Sequence, residues 1–317
     1  MSGFMVANND HLIRSNLWSK DIKEVLLADL MGLKFVRMLQ DFPDGQTINI
    51  PSIGQMEALD YVEGQPVEYT AMDTGNFQFS INQYKSSATY ITNKMKQDSF
   101  YMSELTASFV PKQARAIATA MEADMFANCN SGQTPNDANV INSARHRFVG
   151  AGTGNTISIT DFAKANYALD KAYVPQQNRV AIVDPSCEYT LSTLTNIVNV
   201  SNNPMWEGVI TTGLTSGMRF IKNIYGFDIY VSHFLPQNIS ETVSGTAITN
   251  GVANLFFSAA SDVVPLVGQV RQPPKVDSDY NKDLQRDEYV TTCRWGLKLF
   301  RPENMVVGLT DNSKVYA

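Results

Sequence analysis

One stretch near the C-terminus carries oxygen-bearing side chains at the spacing of a calcium-binding loop. In residues 277–288 they fall at positions 1, 3, 5, 7, 9 and 12 of the EF-hand pattern. They are Asp277, Asp279, Asn281, Asp283, Gln285 and Glu288. Lys282 replaces the glycine that the sharp turn needs, and Pro273 and Pro274 exclude the entering helix. We therefore interpret the segment as a solvated turn, with a loose cation site, and a metal-dependent enzyme built around it, as the alternative.

Other chemical signatures are weak. The sequence has no phosphate loop of the form G-x-x-x-x-G-K-[ST], no G-x-S-x-G elbow and no H-E-x-x-H motif. The GAGTG run at 150–154 follows no apolar strand, and residues 156–159 favour a strand over a helix start, so we interpret the run as a turn. His11, His146 and His233 lack the neighbours of a triad or zinc site. A chain without convergent acid, base or nucleophile is more typical of a structural protein.

Composition agrees with a non-catalytic role. The 317 residues are 44% hydrophobic and 18% charged, and the formal net charge is −6. Few charges predict a large core or surfaces covered by other subunits, and the acidic balance argues against sequence-independent DNA binding. Cys129, Cys187 and Cys293 form no C-x-x-C pair and are expected to be inert buried thiols. No signal peptide is evident, and 251–270 is interpreted as buried strands and turns, so a soluble, cytoplasmic product is expected.

The elements that would position these residues begin with an extended hairpin. After a loose N-terminal arm, residues 47–54 and 77–84 predict two strands separated by a long loop that contains Gly and Pro. These strands are too polar to form a hydrophobic core by themselves. The hairpin must therefore lie on another part of the fold.

Two helices are predicted in the middle of the chain. Residues 98–129 form the longest helical pattern, with Asp98 as N-cap and with Pro111 bending or breaking the helix. A second helix, residues 161–173, is predicted to be capped by Thr160.

The C-terminal half is richer in strands. A strand at 179–184 leads into a helix started by Pro185, and residues 289–299 alternate as a half-buried strand with Trp295 at its centre. We expect Trp295 to belong to the core. Helices and strands mix without βαβ alternation, which favours the α+β class.

Four segments, in this order, resemble parts of the major capsid proteins of tailed bacteriophages, which have the Hong Kong 97-like fold. Residues 103–126 are similar to the spine helix that follows the extended E-loop. Residues 178–191, NRVAIVDPSCEYTL, resemble the strand and Pro-Ser-x-x-Tyr helix that enter the axial domain. Residues 224–236 resemble a Gly-centred hairpin ending in Leu-Pro, and 295–308 resemble the closing return to the peripheral domain. The resemblance spans about residues 15–310.

The resemblance implies an α+β Hong Kong 97-like division of the chain. The expected parts are an N-terminal arm (1–44), an E-loop hairpin (45–90), a peripheral domain with the spine helix (91–178), an axial domain with a central mixed sheet (179–276) and return strands to the peripheral domain (277–317).

The resemblance also implies a virion protein that is not an enzyme and uses no cofactor. Its copies would form the hexamers and pentamers of an icosahedral head, assembled in the host cytoplasm, that encloses double-stranded DNA without sequence-specific binding or a membrane. Separate scaffolding and portal proteins are implied partners, and a decoration protein stays open. The absence of lysine between Lys34 and Lys85 argues against covalent crosslinking through the E-loop. An encapsulin-like compartment shell, holding cargo enzymes instead of DNA, is the alternative within this fold.

The predicted E-loop is strongly acidic, with no basic residue between Arg37 and Lys85. Its neighbourhood holds Asp41, Asp44, Glu57, Asp60, Glu63, Glu68 and Asp73. Two interpretations stay open: a solvated loop, or a loop that lies across the adjacent subunit and faces a basic strip. That strip would be drawn from Lys94, Lys96, Lys112, Arg115, Arg145 and Arg147.

Overall fold

The computed structural model describes residues 32–39, 47–53, 60, 63–64, 66, 74–98, 102–193 and 223–314. Within them the helices are α1 (Asn93–Asp98), α2 (Met102–Ser131), α3 (Ile159–Lys171) and α4 (Pro185–Thr193). The strands are β1 (Val36–Met38), β2 (Thr47–Ile53), β3 (Thr74–Ser80), β4 (Gln83–Thr92), β5 (Val140–Ile141), β6 (Ala144–Arg145), β7 (Arg147–Val149), β8 (Arg179–Val183), β9 (Asn223–Ile224), β10 (Phe227–Val231), β11 (Ile239–Val243), β12 (Thr246–Ser258), β13 (Leu266–Asn281), β14 (Arg286–Leu299) and β15 (Val306–Asp311). The predicted α+β class is confirmed.

One sheet has the strand order β1-β13-β14-β4. β13 and β14 form a long antiparallel hairpin, to which β4 adds antiparallel and β1 adds parallel. Its inner face packs on α2, where Trp295 is fully buried and its indole Nε1 donates to Asp124 Oδ2 at 3.0 Å. Beside it, the Thr291 hydroxyl donates to Gln113 Oε1 at 2.9 Å. The predicted burial of Trp295 is confirmed.

The second sheet is mixed and has seven strands, in the order β7-β15-β12-β8-β10-β9, with β11 paired to β12. Its strand β12 is buried on both faces from Val252 to Ser258 because two different layers cover it. Leu255 and Phe257 face the core shared with α2, whereas Phe256 meets Phe162 of α3 edge to face, with ring centroids 5.3 Å apart. This sheet therefore has a complete core within one chain.

Helix boundaries differ from the sequence expectations in three places. α2 continues through Pro111, so the predicted break is wrong, while a bend there stays a prediction. The missing N–H of Pro111 costs one hydrogen bond, which a 30-residue helix with buried Met125 and Phe126 can tolerate.

Asp98 ends α1 instead of capping α2. The cap of α3 is Ser158, not Thr160, because Ser158 forms a reciprocal capping box with the N3 residue of that helix.

The extended hairpin predicted from the sequence is present as β2 and β3, which pair antiparallel from Thr47 with Ser80 to Ile53 with Thr74. The expected part boundaries after residues 90 and 276 fall inside β4 and β13, which run without interruption across them.

Candidate intersubunit surface

The base of the β2–β3 hairpin is anchored to the four-stranded sheet by a small apolar cluster. Phe79 and Ile81 are buried against Val267 of β13. Phe77 packs edge to face on Phe300, with ring centroids 4.8 Å apart. The polar hairpin thus packs its few apolar side chains against the sheet below it, as expected for strands too polar to form a core by themselves.

Strand β14 approaches the hairpin base so closely that one position admits only glycine. A Cβ on Gly296 would lie 2.8 Å from Ser80 O and 2.9 Å from Ile81 Cα. Next to it, Lys298 Nζ donates to the Gln78 carbonyl at 2.8 Å. The predictions from sequence do not include this anchor, although a glycine inside a strictly alternating strand signals a close backbone approach.

Of the acidic E-loop residues, the structure describes Asp60 and Glu63, and both are exposed. Glu63 precedes Gly64, whose φ of +84° places the pair in a tight turn with nothing within 4 Å of the glycine Cβ position. Glu57, Glu68 and Asp73 lie outside the described residues, as do Asp41 and Asp44.

The proposed basic strip is only partly available. Lys94 on α1 and Lys112 on α2 are exposed, and Arg115 is half-buried. Lys96 is paired with Asp287 of β14 in the same chain. Arg145 is exposed on β6, which pairs only with β5 in a separate two-stranded sheet, whereas the lysines lie on α1 and α2.

Arg147 does not belong to an exposed strip, which corrects the sequence expectation. It is 1% exposed on β7. Its guanidinium Nε donates to Glu241 Oε1 at 2.9 Å, and its Nη2 donates to Asn130 Oδ1 at 2.9 Å. Because a buried arginine needs a partner charge, Arg147 fastens β7 to β11 and to the end of α2.

The calcium-like residues 277–288 lie on the β13–β14 hairpin and its turn, not on a binding loop. Glu288 Oε1 accepts from Arg286 Nε at 2.6 Å and from Asn281 Nδ2 at 3.2 Å. These donors, Arg286 first, lower the pKa of the Glu288 carboxyl. Among the described residues, no group of three His, Cys, Asp or Glu side chains is arranged to hold a metal ion. Asp277, Asp279 and Asp283 are therefore not brought together into a site.

The glycine-rich run at 150–154 joins β7 to a helix start, so the expectation of a strand at 156–159 is wrong. The Asp161 carboxylate already accepts hydrogen bonds from the backbone amides there. It accepts from Ala151 N and from Ser158 N, each at 2.9 Å, and is 1% exposed. An internal carboxylate thus fills the place that a phosphate would need.

The cysteines and the central histidine are buried groups without catalytic geometry. Burial raises the pKa of Cys187 to about 11, and it also raises the pKa of Cys129 and Cys293. Burial lowers the pKa of His146, whose Nδ1 lies 3.2 Å from the Ala144 carbonyl. Protonated thiols and a neutral imidazole are structural in these positions.

No helix in the described part of the chain is long and apolar enough to cross a membrane.

Comparison with known proteins identifies the class. The phage capsid protein family matches residues 77–308, more than half of the chain. A structure from Mycobacterium phage Che8 is 19% identical with a TM-score of 0.67, covering 92% of this chain and 96% of that one. The capsid structure of cyanophage P-SCSP1u is 14% identical with a TM-score of 0.72, covering 97% and 94%. The capsid of Ralstonia phage GP4 is 11% identical with a TM-score of 0.64, covering 98% of both.

One curated relative is of another kind. The non-reducing polyketide synthase VdtA of Byssochlamys spectabilis is 27% identical over an alignment of 189 positions, which covers 51% of this chain and 8% of the synthase. The chain spans so little of that enzyme that the synthase's activity does not carry over.

The chain belongs to the phage capsid protein family, and its fold is the Hong Kong 97-like fold of major capsid proteins of tailed phages. The family and the fold are those of a structural protein.

Proposed function

We propose that copies of this chain assemble into the hexamers and pentamers of an icosahedral head that encloses double-stranded DNA. The observation that carries the proposal is the match of the capsid family over residues 77–308, supported by capsid-like folds over nearly the whole chain. The chain acts as shell material and not as an enzyme. It is assembled in the host cytoplasm with separate scaffolding and portal proteins.

The surface chemistry is compatible with this role. Exposed tyrosines lie on β4, the edge strand of the four-stranded sheet: Tyr84 is 61% exposed and Tyr90 is 57% exposed. Aromatic side chains of this kind are enriched where protein surfaces meet. In the assembled shell, we place this sheet and the hairpin anchored to it against neighbouring copies, with α2 as the spine of the peripheral domain and the seven-stranded sheet as the centre of the axial domain.

The test is sedimentation velocity of the purified chain across a concentration series, followed by analysis of the contents of any large particle. We expect capsomer-sized and shell-sized species that grow with concentration, and shells from infected cells that hold nuclease-protected DNA. A chain that stays monomeric throughout would contradict the proposal. Shells that hold protein cargo without DNA would favour an encapsulin-like compartment.

A further inference from the structure

A cavity of about 430 Å³ opens between the β5–β6 hairpin, β7, α3 and the turn that joins β11 to β12. It has a volume typical of a binding pocket for a small group and not of an extended groove. Its wall includes two cations, two aromatic rings and two serine hydroxyl groups, from Arg145, Lys164, Phe148, Tyr167, Ser143 and Ser244.

The charge of the cavity is positive. Arg145 is exposed and forms no ion pair within the described residues. Lys164 Nζ lies 2.9 Å from Asp161 Oδ1 and 5.4 Å from the centre of the Phe148 ring, and its side chain stays 48% exposed. The Asp161 carboxylate carries a single negative charge, so it balances the charge of Lys164 and leaves that of Arg145 uncompensated. A free guanidinium and a half-exposed ammonium therefore face one small space.

The two serines are held by rigid turns. Asn142 and Ser143 both have positive φ, 48° and 67°, and Ser244 and Gly245 do the same at 51° and 84°. Two-residue loops with this geometry are tight hairpin turns that match the twist of their strands. The first turn is also tied to α3, because Asn142 Nδ2 donates to the Lys171 carbonyl at 2.9 Å. The cavity is thus preformed.

These groups select an anion of side-chain size. Arginine binds carboxylates through two parallel hydrogen bonds, and lysine adds a point charge. Nucleic acid needs an extended basic track, which a single small cavity on an acidic chain does not supply. The chain itself contains the complementary partner, since the segment 41–73 has seven acidic residues and no basic one.

We propose that this cavity receives a carboxylate side chain from the acidic segment 41–73 of a second copy of the chain. The inference rests on the proposed function, because it requires copies to meet. Arg145 forms the paired hydrogen bonds to the incoming carboxylate, and Lys164 and Tyr167 close its sides. The contact sets the register of neighbouring subunits.

The first test compares the assembly rate, by light scattering, of the wild type, Arg145→Glu and the matched control Lys314→Glu. Lys314 is also exposed, and it lies in the short turn after β15, outside both the cavity lining and the four-stranded sheet. We expect roughly tenfold slower assembly for Arg145→Glu, unchanged assembly for Lys314→Glu, and wild-type thermal unfolding for both. Equal rates for all three proteins would overturn the inference.

The second test locates the carboxylate. The variant Arg145→Lys keeps the charge and provides an amine for zero-length carbodiimide crosslinking in particles assembled from an equal mixture of ¹⁴N- and ¹⁵N-labelled chains. We expect a mixed-isotope crosslink from position 145 to an acidic residue within 41–73. A crosslink to another segment, or none between copies, would overturn the inference.

Two further outcomes are separable. If Arg145→Glu assembles normally but retains less nucleic acid, the cavity binds phosphate and the inference is wrong. If the wild type itself never assembles, the proposed function fails first and this inference fails with it.

Discussion

The two sheets of this molecule differ in whether helices of the same chain cover both of their faces. β12 and β15 of the seven-stranded sheet are covered on both faces, with α3 and α4 on one side and α2 on the other. The four-stranded sheet has α2 on its inner face only. Its outer face carries exposed Tyr84 and Tyr90. One sheet is a finished core, while the other is a surface that we expect neighbouring copies to cover.

The largest effect should come from removing a large side chain from either core. We expect Trp295→Ala and Phe256→Ala each to lower the free energy of unfolding by about 3–5 kcal/mol. Tyr90→Ala, on the outer face of the four-stranded sheet, is the control and should change it by less than about 1 kcal/mol. Urea unfolding of the monomer measures all three. A soluble Trp295→Ala subunit with wild-type stability would contradict the claim that the inner face of the four-stranded sheet is a core and the outer face is not.

A similar effect is expected at the buried ion pair of the seven-stranded sheet. Arg147→Met leaves Glu241 buried without its partner, which should cost about 3–5 kcal/mol. The double variant Arg147→Met with Glu241→Leu removes both charges and should recover most of that loss. Thermal unfolding of the wild type, the single variant and the double variant measures the loss and its recovery. Equal destabilisation in the single and double variants would show that packing, and not charge, fixes Arg147.

A smaller effect is expected where the hairpin meets β14. Gly296→Ala places a Cβ against the backbone of Ser80 and Ile81, which cannot move away easily, and should cost about 1–3 kcal/mol. Gly308→Ala in the seven-stranded sheet is the comparison, because its nearest neighbours are ring atoms at 3.1 Å or more. Hydrogen exchange should show residues 77–83 loosened only in Gly296→Ala. Unchanged protection there would mean that the hairpin is held by other contacts.

The buried thiol of Cys187 gives the seven-stranded sheet a pH dependence. Its pKa is raised from 9.0 to about 11, so the folded state keeps the proton over a range in which the unfolded state loses it. Stability from this group is therefore complete below pH 9 and falls between pH 9 and about 11, by up to about 1.4 kcal/mol per pH unit. Cys187→Ala should show a shallower decline over that range in unfolding titrations. Parallel curves for the two proteins would contradict this account.

How much of this was visible in the sequence depends on the range of each interaction. The largely apolar segment 251–270 predicted buried strands and turns, and the alternation at 289–299 predicted a strand with one buried face. Both follow from local periodicity. The burial of Arg147 could not be predicted, because its partner Glu241 is 94 residues away and the local sequence RHRFV looks exposed. The continuity of α2 through Pro111 likewise depends on packing contacts that no local rule contains.

The smallest effect concerns the charges that steer copies together. Reversing Glu63 and Glu68 to lysine should slow capsomer formation while the monomer stays folded, because single exposed pairs guide association more than they stabilise it. Salt at about 1 M shortens the screening length to about 3 Å and should slow the wild type in the same way. Light scattering at low and high salt measures both. Wild-type rates for the double variant in both conditions would mean that the loop is merely solvated.

The central claim is that the chain is a shell subunit whose unfinished sheet is completed by other copies. Electron cryomicroscopy of assembled particles tests it directly. The account predicts closed icosahedral shells built from rings of six and five copies, with Tyr84 and Tyr90 of each copy covered by a neighbour. Shells in which that outer face stays bare, or preparations in which the chain forms no ordered particle, would contradict it.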